Sequence, residues 1–382
     1  MNGEFDRALL RRFEPVARFT RGEQFFPLDV ERYVRICSLW MRHRNGDAVM
    51  VVPLGELTLE RLAEHRPSRF GTIHFLKLID PLTVKELASY RLQRLRSRKD
   101  DGDVFHAGRG RLARVGYISR LGDALFALSL LGRGRVPGDT AAAAELTYQA
   151  MQRAAPGFHY HGRVARCDGW VVLQYWFFYV FNDWRSGFFG ANDHEADWEM
   201  VSVYLAEAPE GELRPEWVAY GSHNDPGDDL RRQWDDPEVQ KVGEHPLAYM
   251  GAGSHASYYQ PGEYLTELEV PFLYRISRAA NRLQLLWHER LKQFREDIDP
   301  DAPSPEVLLR ISFVDYARGD GLAIGPGQAV EWSEPRLLEP APAWVTGYRG
   351  LWGYHARDPF EGEDAPSGTD VQPRRHGASC LV

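Results

Sequence analysis

The sequence predicts an α+β fold: a β-sandwich-like core with a partly helical N-terminal region and a long amphipathic helix. Three observations predict it. From His159 onward, apolar and aromatic runs are short and are punctuated by Gly, Pro, Asn and Asp, as in strands joined by turns. Before that point, helical signals alternate with a few short apolar segments. Over residues 271–294, apolar positions recur with helical spacing.

In chain order, residues 48–52 read as a strand ended by Pro53, and 74–79 as another, with a short helix over 57–64 between them. A longer helix over 82–96 opens with Thr83 and Glu86 at the spacing of a capping box, in which side chain and backbone satisfy each other's donors. The polar run 99–103 breaks it. It divides an N-terminal α/β region, 1–104, packed on the core, from a β-rich domain over 105–360. Two further helices are expected over 118–131 and 140–154, the second supported by the alanines at 141–144. Strands follow over 169–181, 198–205, 216–220 and 247–250. The last stretch, 361–382, is rich in Gly, Pro, Asp and Arg and reads as a disordered tail. The absence of a fixed-period repeat excludes a solenoid or propeller.

The composition bounds the function classes. The chain has 382 residues, with 46 Lys+Arg against 54 Asp+Glu, 43% hydrophobic and 26% charged. That excludes a disordered chain. The net charge of −8 gives no general attraction to nucleic acid, so none is expected as a partner. Only Cys37, Cys167 and Cys380 are present, without metal or redox spacing, so a structural role is expected for the first two. No apolar run approaches the roughly 20 residues of a transmembrane helix. The Arg-rich N-terminus lacks the apolar stretch of roughly 7–15 residues of a secretory signal. Together with unpaired cysteines these features predict a cytoplasmic protein. Aromatic residues are abundant at 12%, and many fall between Trp170 and Trp184.

Beside that aromatic run lies the segment 182–199, which carries the main chemical signal. Side chains two apart on a strand share a face. Asp197 and Glu199 therefore lie together, continued by Val201, Val203 and Leu205. Leu173, Tyr175, Phe177, Tyr179, Phe181 and Asp183 share the parity of the preceding strand. If the two strands pair, Asp183, His194, Asp197 and Glu199 converge. Three carboxylates and an imidazole suit a divalent cation such as Mg, Ca, Mn or Zn, and are otherwise expensive to bury. Two Ser-His pairs follow short strands, placing His223 and His255 as candidate general acid or base residues. Each feature has a plainer reading: carboxylates that cap turns or pair with Arg, and Ser-His pairs that hydrogen-bond within loops. His159 and His161 alternate with Tyr160 and read as surface or hairpin positions. Ser222 and Ser254 lack a nucleophile-elbow context.

The chain resembles the vacuolar protein sorting 62-related family through four ordered blocks. These are Tyr175-Trp-Phe-Phe-Tyr179, His194-x-x-Asp-Trp-Glu199, Gly253-Ser-His-Ala-Ser-Tyr258 and Pro261-Gly262. The resemblance covers roughly residues 105–360. More distantly, the second block is similar to the Gly-His-Arg-His-Asp-Trp-Glu heptad of the necrosis-inducing protein family. That similarity implies a β-sandwich in which Asp197 and Glu199 are cation ligands, Asp183 is the upstream Asp, and His194 is the nearest imidazole. Ala196 stands where the heptad has its second His.

Three functions follow as expectations. The first is a metal-dependent hydrolase or lyase acting on a glycan-like or lipid-head-group-like substrate, with the cation at the His-x-x-Asp-x-Glu site. The alternative is a non-catalytic, metal-dependent glycan- or lipid-binding protein, and the third is a purely structural cluster. The partner expected is a small-molecule, glycan or lipid-head-group ligand, and the sequence leaves the oligomeric state open.

Overall fold

The computed structural model describes residues 2–43, 47–65, 71–80, 82–97, 140–167, 169–183, 194–208, 210–221, 231–268 and 311–354. The helices among them are α1 (Asn2–Phe13), α2 (Val30–Arg35), α3 (Leu59–Glu64), α4 (Val84–Ser97), α5 (Thr140–Ala154) and α6 (Ala343–Gly347). The first strands are β1 (Val16–Phe19), β2 (Ser38–His43), β3 (Ala48–Val52), β4 (Thr72–Lys77), β5 (His161–Cys167), β6 (Trp170–Asn182) and β7 (His194–Glu207). They are followed by β8 (Leu213–Tyr220), β9 (Arg231–Gln233), β10 (Lys241–Val242), β11 (His245–Met250) and β12 (Ser257–Tyr258). The last are β13 (Gly262–Leu268), β14 (Ile311–Ala317), β15 (Ala323–Ile324) and β16 (Arg336–Leu337). The architecture is thus mixed α+β with several sheets. The expected helices at 118–131 and 271–294, and the expected tail, lie outside the described residues.

A six-stranded sheet ordered β16-β5-β6-β7-β8-β9 forms the centre. Its middle strand β6 reads as a nearly unbroken apolar run because it is covered on both faces. On one face, Tyr175 donates its hydroxyl to the Leu10 carbonyl of α1 at 3.0 Å, and Phe177 stacks on Trp332 at 5.4 Å. On the other, Phe178 meets Tyr33 of α2 at 4.8 Å and Trp198 at 4.8 Å. Tyr175, Phe177, Phe178, Tyr179 and Phe181 have no exposed surface. Each such side chain contributes roughly 1.5–3 kcal/mol of burial free energy.

The N-terminal region is built into this framework. β1 pairs in parallel with β11 and antiparallel with β15 in a second sheet. β2, β3 and β4 form a third sheet, and β13 and β14 a two-stranded one. Local chemistry explains the helix starts. Thr83 donates its N–H to Glu86 Oε2 at 2.9 Å, and the Glu86 N–H returns to Thr83 Oγ1 at 3.4 Å, so the capping box forms at α4. Thr58 and Asp29 cap α3 and α2 through side-chain oxygens.

Two expectations need correction. His161 is not a surface residue: it is only 2% exposed, packed edge-on against Trp198 at 5.3 Å. Even spacing around Tyr160 cannot reveal that β5 is an inner strand. Cys37 is a free buried thiol, but Cys167 is disulfide-bonded. The reasoning from unpaired cysteines to a reducing compartment loses that support. No helix among the described residues is long and apolar enough to cross a membrane.

Candidate functional site

The register of β6 against β7 sets the site. Tyr179 lies opposite Asp197, Phe177 opposite Glu199 and Tyr175 opposite Val201, so these side chains share one face of the sheet. The alternation breaks at Ala196, whose φ is +59°, a left-handed conformation that costs a non-glycine residue energy. The consequence is visible on either side of it. Asp197 turns toward the Tyr179 face. Glu195, two residues earlier, turns to the Trp198 face and accepts the N–H groups of Leu78, Ile79 and Tyr354 at 3.0, 2.9 and 3.1 Å. A strand without this kink would place both carboxylates on one face.

The loop after β11 delivers the imidazole. The His255 N–H donates to the Gly251 carbonyl at 2.9 Å, and His255 itself has a φ of +59°. The side chain is fully buried. Its Nδ1 lies 2.9 Å from Asp197 Oδ2, which also accepts the Asn182 amide at 3.2 Å. The ring lies flat on Tyr179, with centroids 3.7 Å apart and planes within 2°. Nε2 has no hydrogen-bond partner among the described residues and sits 3.9 Å from Glu23 Oε1. Glu23 is fixed by backbone donors: Gln24 and Phe25 at 2.7 and 2.9 Å on Oε1, and Gly253 at 2.7 Å on Oε2. The Asp183 N–H reaches the Gly253 carbonyl at 3.2 Å. Burial pulls the imidazole's pKa down. The Asp197 bond and the charges of Glu23, Asp197 and Asp183 outweigh it, so the ring holds its proton above the ordinary histidine range.

A second buried carboxylate completes the cluster. Asp315 Oδ2 accepts the Ser254 hydroxyl at 2.6 Å and the Tyr258 hydroxyl at 2.8 Å, while its Oδ1 has no partner among the described residues. The approach requires glycine at 251, because a Cβ there would lie 2.5 Å from Asp315 Oδ2 and 2.3 Å from Ser254 Oγ. Half-buried Glu199 is pushed well above the usual carboxylate range by desolvation and by the like charges of Asp197 and Asp315.

Of the expected residues, Asp183, Asp197, Glu199 and His255 are gathered at this cluster. His194 is not bonded into it: its Nδ1 faces the Ala196 carbonyl at 2.7 Å. His223 lies outside the described residues. Among the described residues, no three or more His, Cys, Asp or Glu side chains form an assembled metal-coordinating group. The donor chemistry fits a hard or borderline divalent cation, with oxygens from carboxylates and one imidazole nitrogen that must give up its proton to the cation's arrival. Sequence reasoning missed Glu23, Asn182 and Asp315. Glu23 lies in a segment with no recognisable motif. Asp315 stands in an ordinary alternating strand, and only the tertiary pairing of Ser254 marks it.

No family model matches the chain, and no curated protein matches it. Among solved structures, a crystal structure of the non-toxic HaNLP3 protein matches 25% of this chain and 40% of that one. The sequences are 15% identical over the match, and the TM-score is 0.20. This is a distant structural likeness to a necrosis-inducing (NLP) protein, and nothing among the comparisons speaks for the vacuolar protein sorting 62-related family.

Proposed function

We propose that this chain is a metal-dependent hydrolase or lyase on a sandwich-like core, acting on a glycan-like or lipid-head-group-like substrate. The observation that carries the reading is the His255 ring. Asp197 fixes its Nδ1, and its Nε2 is buried without a hydrogen-bond partner among the described residues. Metal-binding histidines are commonly oriented in this way, with a carboxylate on the second ring nitrogen. Asp183, Glu199 and the Nε2 of His255 are the proposed donors, with Asp197 as orienting partner and further oxygen donor. His255 takes the place expected of His194. A bound cation supplies either a more acidic water or polarisation of a substrate oxygen.

The chain's own groups divide the remaining tasks. Asp197 and the flat face of Tyr179 hold the imidazole in one orientation. Glu23, anchored by three backbone donors, faces the same nitrogen and balances positive charge there. The complete burial of His255 favours a second reading, cation-dependent ligand binding without turnover, because the ring itself cannot touch a substrate.

Elemental analysis of the purified protein beside an Asp197→Ala/Glu199→Ala variant tests the site. Stoichiometric Mg, Ca, Mn or Zn in the wild type and its loss from a folded variant are expected. A wild type that binds none of these ions, even after incubation with them, removes the proposal. Turnover of glycoside or phosphodiester reporters by the loaded protein, lost with chelator, separates the hydrolase from the binding protein.

A further inference from the structure

Helix α4 presents most of its surface to solvent. From Thr83 to Gln93 only Leu87 and Tyr90 are half-buried, and every other residue is exposed. Leu87 and Tyr90 lie three apart and so mark the inward side. The Tyr90 hydroxyl donates to Glu145, which holds the helix against α5.

The outward side is apolar where a solvated helix would be polar. Val84, Ala88 and Leu92 follow one another at intervals of four, so they form one row along the axis. Val84 is 87% exposed and Leu92 57%, and Ala88 is exposed as well. No other large apolar side chain among the described residues is as exposed as Val84. In sequence the row continues to Leu95.

Cations bracket that row. At about 100° of rotation per residue, Lys85 falls along one edge of it and Arg91 along the other, and position 96, also Arg, falls on the Lys85 side. Lys85 and Arg91 are exposed, and neither forms an ion pair among the described residues. The one acidic residue of the helix, Glu86, is committed to the cap, where its Oε2 accepts the Thr83 N–H and hydroxyl at 2.9 and 2.6 Å. The helix is therefore basic in a chain whose net charge is −8.

Single exposed apolar residues are ordinary, but an apolar row edged by Lys and Arg is the pattern of a helix lying in a membrane interface. Long cationic side chains run beside the row and bring their charges to the level of lipid phosphates. A nucleic acid would satisfy the cations and leave Val84 and Leu92 in water. The helix has 14 residues, too few to cross a bilayer, so it can only lie along one.

We propose that α4 docks the protein on the surface of an anionic phospholipid bilayer. Val84, Ala88 and Leu92 enter the boundary between headgroups and acyl chains, and Lys85 and Arg91 meet the lipid phosphates. The docking does not depend on a cation at the acidic cluster.

Co-sedimentation of the full chain with vesicles of phosphatidylcholine, with and without phosphatidylglycerol, is the test. Binding to the anionic vesicles is expected to be at least tenfold tighter, to weaken at high salt and to persist in chelator. Val84→Ser/Leu92→Ser removes the apolar row, and Lys85→Gln/Arg91→Gln removes the charge. Each, shown folded by its melting curve, is expected to weaken binding at least fivefold. No binding at millimolar anionic lipid overturns the proposal. So does equal binding to phosphatidylcholine alone, or unchanged binding in either folded variant. Loss of binding in chelator overturns it as well, by moving lipid recognition to the acidic cluster. A single-stranded oligonucleotide that binds as tightly as the vesicles overturns it in favour of nucleic acid.

Discussion

The Nδ1 of His255 lies 2.9 Å from Asp197 Oδ2, joining a turn after β11 to β7 through a pair buried at 0% and 9% side-chain exposure. An ion pair so enclosed is weak evidence for net stability, but removing one partner leaves the other uncompensated. Asp197→Asn keeps an acceptor for the ring while removing the charge. In chelator it is expected to cost about 2 kcal/mol, and Asp197→Ala about 3–5 kcal/mol. Urea denaturation at constant m-value measures both. Two variants as stable as the wild type would show that the pair carries no structural load.

Glu199 behaves differently, because its neighbours Asp197 and Asp315 repel its charge. Glu199→Gln substitutes a permanently neutral amide for a carboxyl whose charge its surroundings disfavour. With chelator present, the variant is expected to melt at or above the wild-type temperature. With millimolar Mn or Ca, the wild type should gain several degrees and the variant clearly less, since ligand binding to the folded state raises the melting temperature. An equal gain in both proteins would remove Glu199 from the cation's donors.

The hydroxyl of Tyr179 is buried without a partner among the described residues, while its ring carries His255. Tyr179→Phe therefore keeps the stack and removes an unsatisfied polar group. It is expected to be neutral or stabilising by up to about 1 kcal/mol. Tyr179→Ala, which leaves a cavity under the imidazole, is expected to cost about 3–5 kcal/mol. Calorimetry of the two variants checks the order. A Tyr179→Phe loss matching that of the alanine variant would mean the hydroxyl has a partner.

Much of this arrangement is legible in the strands. The two-residue period predicted that Tyr179 shares a face with Phe177 and Tyr175, and Asp197 with Glu199, and the observed register sets them opposite one another. Thr83 and Glu86 likewise announce their capping box. What is not legible depends on single backbone torsions and on distant loops. Ala196 carries no signal that it turns left-handed, so nothing in the sequence separates Glu195 from Asp197. Glu23 reaches Gly253 across 230 residues, and Ser254 reaches Asp315 across 61. Contacts of that kind follow from packing and leave no periodic trace. His161 is hidden for the same reason, since a short alternating segment is compatible with an inner strand or a hairpin.

Glu195 supplies a pH-dependent latch on the face away from the acidic cluster. Its carboxyl receives Leu78 and Ile79 just beyond β4, and Tyr354 from the C-terminal segment. Burial raises its pKa to about 7, although the three N–H groups and Lys77 pull it back. An unfolded Glu titrates near about 4.3. The folded value is the higher one, so between these pH values the folded protein binds more protons than the unfolded chain. The contribution is therefore complete below about pH 4.3 and is lost as pH rises to about 7, a change on the order of 3 kcal/mol. Glu195→Gln cannot titrate, and it turns an amide N–H₂ toward a backbone donor, costing about 1–3 kcal/mol. Urea denaturation between pH 4.5 and 8 should show the variant less stable at the acidic end. The gap should close or invert above neutrality. Parallel profiles for the two proteins would show that Glu195 does not titrate with folding.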